Sequence, residues 1–100
     1  LVPTIYFEPF GGVAVESMLA GTPAVTSDWG AFTETVEPGL TGERFGTLAE
    51  GAVAIERALQ LDPEAIRARA IERFSLEAVG PQYDAWFDRV LSLWKTGWAE

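Results

Sequence analysis

The sequence predicts an α/β fold with a short parallel sheet of two or three strands and several helices. Three observations predict it. First, a β-branched and aromatic run at residues 2–7 leads through Gly11-Gly12 into a helical pattern, and a second apolar run follows at 24–27. Strand, helix and strand with short connections make a βαβ unit, right-handed by default. Second, nearly everything after residue 46 carries helical periodicity and helix-start signals. Third, the chain is rich in core-forming residues, with 48% hydrophobic positions, four Trp and six Phe in 100 residues. That length allows one domain at most. The composition therefore reads as a piece of a larger core, a fragment expected to oligomerise or to belong to a longer protein.

Residues 2–7 (VPTIYF) read as a buried strand whose regular part starts after Pro3. A helix then opens at Gly11 or Gly12, with Val15 and Leu19, and Ala14 and Met18, as packing pairs. Gly21 is placed as its C′ residue, and Pro23 keeps the helix from resuming. Residues 24–27 (AVTS) form the next buried strand, followed by a loop at 28–32. One helical turn is expected at 33–36 and a weaker third strand at 41–45.

The rest is predicted helical. Thr47 and Glu50 have capping-box spacing, with Leu48, Ala52, Ile55 and Leu59 as the packing face behind them. Asp62 followed by Pro63 opens a helix to about Phe74. Ser75 caps a further turn, and Gly80-Pro81 interrupts or restarts a last helix ending near Trp94. That helix carries a broad apolar stripe of Val79, Tyr83, Phe87, Val90, Leu91, Trp94 and Trp98, widened by Trp86 and Leu93.

Charge and composition exclude several functions. With 7 basic and 15 acidic residues the net charge is −8, against the basic footprint that nucleic acid or an anionic membrane surface requires. No apolar run approaches the ~20 residues of a membrane span, and no signal peptide is visible. Without cysteine there is no disulfide framework or thiolate chemistry, so a cytoplasmic location is expected. Without His or Cys no metal site is expected either.

The stretch with chemical content is Phe7-Glu8-Pro9-Phe10-Gly11-Gly12-Val13-Ala14-Val15-Glu16. A helix N-terminus after a glycine turn attracts anionic groups, because its free N–H groups point outward at the positive end of the dipole. Glu8 before the turn and Glu16 one turn inside the helix add acceptors for hydroxyls. Glu16 is the only charged residue between Gly11 and Ser27, so it needs solvent, a partner or a ligand. Four residues past Gly12 is roughly 6 Å along the axis, which sets Glu16 within reach of a ribose whose diphosphate lies at the helix start. Each feature has a plain alternative: a solvent-facing Glu16, a loop carboxylate at Glu8, and turn-forming glycines.

Together these residues resemble the E-x7-E signature of retaining glycosyltransferases of the large group 1 family, family 4. The likeness runs from Glu8 to Glu16 and on through Ser17-Met18-Leu19-Ala20-Gly21-Thr22-Pro23. It continues in residues 27–36, the turn at 39–42, Arg73-Phe74-Ser75 and the helix holding Tyr83, Phe87 and Val90. The resemblance implies the GT-B fold, two Rossmann-like domains around a cleft. Residues 1–100 would be the C-terminal portion of the nucleotide-sugar-binding one. It also implies a nucleotide-diphosphate sugar donor, transfer of a hexose to an acceptor hydroxyl with retention, and no metal or other cofactor. Glu8 is then the catalytic-site carboxylate, positioning the sugar through its hydroxyls. Phe10, Gly11, Gly12 and Val13 face sugar and phosphates, and Glu16 holds the ribose.

Two departures accompany the likeness: Ala31 stands where the family has a second glycine, and no Lys or Arg precedes Arg44 to hold the diphosphate. The implied partners are the donor and a missing N-terminal domain or oligomer partner, and the chain alone is expected to be inactive. The rival readings are a non-catalytic nucleotide-sugar-binding or assembly module and, ranked lower, a glycosidase pair at Glu8 and Glu16. The pair ranks low because two carboxylates on one strand–turn–helix connection converge poorly on opposite faces of a scissile bond.

Overall fold

A computed structural model describes residues 1–97. The elements in order are α1 (Gly12–Leu19), β1 (Ala24–Ser27), α2 (Phe32–Thr35), β2 (Gly42–Phe45), α3 (Leu48–Ala58), α4 (Pro63–Phe74) and α5 (Leu76–Thr96). β1 and β2 pair in parallel, Ala24 opposite Gly42 through Ser27 opposite Phe45. All four β1 residues are buried, because the strand is covered on both edges and both faces. On its second edge Val2 bridges Thr26 in parallel, donating to Val25 O at 2.8 Å and accepting from Ser27 N at 3.3 Å. The architecture is α/β and partly Rossmann-like, as expected.

The strand predicted at 2–7 is reduced to that one bridge. Beyond Val2 no further backbone bond to β1 forms, and Ser27 Oγ donates to the Thr4 carbonyl at 2.6 Å. Ile5 and Phe7 are 88% and 81% exposed, the opposite of the expected burial. Nothing among the described residues lies along the outer side of this segment to bury them.

Alternation along β1 splits the core between the two sheet faces. Ala24 joins Ala14, Val15 and Met18 of α1, Phe32 and Val36 around α2, and Ile66 and Ala70 of α4. Val25 joins Ala54 and Ala58 of α3 on the other side, with Phe45 against them. α1 ends in a Schellman closure: Gly21 N–H donates to Met18 O and Thr22 N–H to Ser17 O, both at 2.9 Å, with Gly21 at φ +82°. The Arg67 guanidinium of α4 takes the Leu19 carbonyl at the same end.

α3 begins with the predicted capping box, Glu50 N on Thr47 Oγ1 at 3.2 Å and Thr47 N on Glu50 Oε2 at 3.0 Å. Its packing face is not the predicted one. Gly51, Ala54 and Ala58 are buried, while Leu48 and Leu59 are 91% and 74% exposed. The sheet approaches α3 too closely for large side chains, since a Cβ on Gly51 would sit 3.3 Å from the Phe45 ring. Small residues therefore face inward and the leucines outward.

Asp62 and Ser75 cap α4 and α5 through Glu64 N and Ala78 N, each at 3.1 Å. Gly80-Pro81 does not interrupt the last helix, which runs unbroken through both. Pro81 removes only the bond to the Glu77 carbonyl, and both residues are exposed. No α5 residue is buried, and Tyr83, Trp86, Phe87, Val90, Leu91 and Trp94 of the stripe are exposed. Trp98 lies outside the described residues. None of the described helices is long and apolar enough to cross a membrane.

One polar network ties α4 to α2. Arg69 grips Glu37 through Nε and Nη2 at 2.8–3.1 Å, and Arg73 Nη1 reaches Glu37 Oε1 at 2.8 Å. Arg73 also takes the Glu34 and Thr35 carbonyls at 2.7 and 3.3 Å, closing the C-terminal end of α2. Arg69's hydrogen bonds, with help from the Arg73 charge, hold the Glu37 carboxyl below its ordinary value, against the opposing effect of partial burial.

Two outcomes test this fold. Ile66, fully buried, is expected to cost about 2–5 kcal/mol when changed to Ala; denaturant unfolding showing a loss under about 1 kcal/mol would remove α4 from the core. The Glu37 contribution is complete above pH 4.5, the ordinary carboxyl value, and fades as pH falls through the depressed folded one. Melting temperature should therefore drop less steeply below pH 4.5 in Glu37→Gln than in the parent.

Candidate functional site

The Gly11 turn sits where the N-terminal segment passes β1 and enters α1. Gly11 is buried at φ +79°, a left-handed conformation that suits glycine, and a Cβ there would lie 2.4 Å from the Phe32 ring. Ala14 and Val15 N–H bond back to Gly11 O at 3.0 and 3.3 Å. The N–H groups of Gly12 and Val13 find no acceptor among the described residues. Gly12 is open on its outer side, with no atom within 4 Å of where a Cβ would stand. This is a helix start with two free donors facing outward.

Glu8 is tied to this turn three times. Its Oε1 accepts from Gly11 N at 3.1 Å and Phe10 N at 3.4 Å, and its Oε2 accepts from the Tyr6 hydroxyl at 2.7 Å. The Tyr6 hydrogen bond leads in holding the Glu8 carboxyl below its usual value, helped by the two backbone donors and opposed by slight desolvation. The same contact raises the Tyr6 phenol above its own. The Glu8 carbonyl accepts from Ala31 N at 2.8 Å, joining the turn to the loop after β1. Gly30 lies under this joint at φ +59°, and a Cβ there would stand 2.8 Å from Glu8 N and 2.9 Å from Glu8 O.

Glu8, Phe10, Gly12 and Val13 thus form one strip around the buried Gly11. Glu16 is exposed, and its side chain has no hydrogen bond or ion pair among the described residues. Phe10 is half exposed and meets Phe74 edge-to-face at 6.3 Å between centroids, while the Arg73 guanidinium covers that ring at 4.7 Å. A concavity of about 320 Å³ adjoins the strip there, walled by Phe10, Phe74, Tyr83 and Trp86. A larger one, about 590 Å³, is lined by Asp28, Arg44, Glu50 and Arg57 and shares no residue with the strip. The free amides and the Glu8 and Glu16 carboxylates belong to the strip and not to the larger concavity.

Arginine side chains near the strip are committed elsewhere. Arg73 is held by Glu37 and the α2 carbonyls, and Arg44 Nε faces Asp28 Oδ1 at 3.3 Å. Sequence reasoning missed Tyr6. The available signal was its i,i+2 relation to Glu8, which puts both side chains on one side of an extended segment.

The Glycosyl transferases group 1 family matches residues 1–73. Glycogen synthase of Mycobacterium tuberculosis, strains CDC 1551 / Oshkosh and ATCC 25618 / H37Rv, is 42% identical over 66 residues, 65% of this chain and 16% of that protein. Phosphatidyl-myo-inositol mannosyltransferase of Mycobacterium leprae is 37% identical over 87 residues, 80% of this chain and 23% of its own length. The chain therefore spans under a quarter of the length of these relatives.

Gly30→Ala is expected to destabilise by about 1–2 kcal/mol from the left-handed backbone alone. It should also move the Glu8 and Ala31 amide resonances, and unchanged shifts would dissolve the joint between the two loops. From motif, fold and family match together, the chain belongs to the group 1 glycosyl transferases.

Proposed function

We propose that the strip from Glu8 to Glu16 is the sugar and ribose side of a nucleotide-diphosphate-sugar site. Residues 1–100 then serve as the C-terminal portion of the nucleotide-sugar-binding Rossmann-like domain. The enzyme is read as a retaining hexosyltransferase of the family 4 type, moving a hexose to an acceptor hydroxyl. The observation that carries this reading is the pair of unsatisfied Gly12 and Val13 amides at the α1 N-terminus, with the half-buried Glu8 and the exposed Glu16 on either side. Donors already aimed at the position of a leaving diphosphate favour its developing charge with little reorganisation. Glu8 positions the sugar through hydroxyls, Phe10 and Gly11 shape the wall, and Glu16 accepts from the ribose diol. No metal is invoked in this proposal.

The committed arginines support a second feature of the reading. With Arg44 and Arg73 held by carboxylates and carbonyls, the strip supplies the neutral and anionic side of the pocket only. The diphosphate's cationic partners are assigned to a further domain or an oligomer partner, and the 100-residue chain alone is read as inert in catalysis. The same observation favours the second reading, a binding module without turnover.

Calorimetry of the chain with UDP, GDP and ADP and their hexose esters tests the site. Weak binding, about millimolar, is expected for a site lacking its cationic half, and Glu16→Ala should weaken both nucleotide and nucleotide sugar several-fold. Glu8→Ala should weaken only the sugar esters. Equal affinities in parent and variants would remove the two carboxylates from the site.

A further inference from the structure

Tyr6 is 60% exposed, and its hydroxyl donates to the Glu8 carboxylate, which the donor-site reading aims at sugar hydroxyls. The phenolic oxygen and Glu8 Oε2 are 2.7 Å apart. Glu8 Oε1 is occupied by Gly11 N and Phe10 N, and Oε2 takes only the Tyr6 proton. An ionised carboxylate oxygen accepts more than one hydrogen bond, and a phenol that donates still accepts through its own lone pairs. Each oxygen of this pair therefore keeps accepting capacity, and the two lie as close together as hydroxyls on adjacent carbons of a sugar ring.

We propose that Tyr6 is a further specificity-determining residue, its oxygen and Glu8 Oε2 forming an acceptor pair that reads two adjacent hydroxyls of a hexose. The inference rests on the donor-site reading of Glu8 and adds the class of group selected, a vicinal diol. Three features of the chain support the pair over a chance surface contact. The Glu8 main chain is clamped by Ala31 N and by the close passage of Gly30. Its Oε1 is anchored to the turn, so Oε2 has few directions to face. Tyr6, with its ring largely in solvent, holds no core together, so its hydroxyl is free to serve a ligand.

The test compares the parent chain with Tyr6→Phe, which keeps the ring and removes the oxygen. Calorimetry uses UDP, GDP and ADP, their hexose esters, and the esters' monodeoxy analogues. Expected are a loss of about tenfold for the parent hexose ester and no change for the free nucleoside diphosphate. The loss should shrink toward none for the deoxy ester lacking the hydroxyl that Tyr6 accepts. Equal losses for diphosphate and hexose ester, or no loss for either, overturn the Tyr6 assignment and leave the donor site standing. Failure of the parent chain to bind any of these compounds overturns the donor-site reading instead.

A ligand-free measurement closes the remaining route. Carbon-13 titration of the Glu8 carboxyl should show it below the ordinary carboxyl value in the parent and raised in Tyr6→Phe, with the amide spectrum of α1 and β1 unchanged. A Glu8 titration indifferent to the Tyr6 hydroxyl overturns the proposal by itself, whatever the nucleotides do.

Discussion

The passage of Gly30 beneath Glu8 is the constraint on which the site depends. Only a residue without Cβ leaves room for the loop after β1 to meet the Glu8 main chain, and the Ala31 amide then closes onto the Glu8 carbonyl at 2.8 Å. That joint fixes the height at which the chain turns at Gly11. The turn in turn fixes where the free Gly12 and Val13 amides point. Phe32 completes the support, its ring fully buried against the space a Gly11 side chain would occupy.

Electrostatics set the arginine network of α4 apart from the strip around Gly11. The arginines of α4 are used to close helix ends: Arg67 at α1, Arg73 at α2, and Arg69 with Arg73 on Glu37. These bonds satisfy carbonyls that would otherwise lack partners at helix C-termini. The strip around Gly11 receives none of these charges directly. It is left with amide donors and carboxylate acceptors, a combination suited to hydroxyls and to the edge of a diphosphate. Arg73 does reach the strip through packing, since it lies over Phe74, which meets Phe10 edge-to-face.

Much of this was legible in the amino-acid order. Local signals with local causes were recovered: the β1 run, the Gly21 closure, the Thr47–Glu50 box, the Asp62 and Ser75 caps. Each depends on residues within five positions of one another, so spacing alone encodes it. The strip from Glu8 to Val13 was legible for the same reason, being one contiguous turn. Where the sequence misled, distant packing decided. The leucine face of α3 looked like its core side, yet closeness to Phe45 admits only Gly51, Ala54 and Ala58 there. Residues 2–7 have strand composition but only one partner edge, and Pro81 has breaker chemistry but an exposed carbonyl to disrupt.

The sequence by itself determined the class of fold and the family, and it singled out the turn proposed above as the site, because short-range spacing and residue type are enough for that. Tertiary structure alone decided which arginines are already spent and that the close approach to the Glu8 main chain falls on Gly30. Those depend on segments distant in the chain meeting in space. Spacing cannot encode such meetings; only the shared geometry of β1, the turn and α4 brings them about.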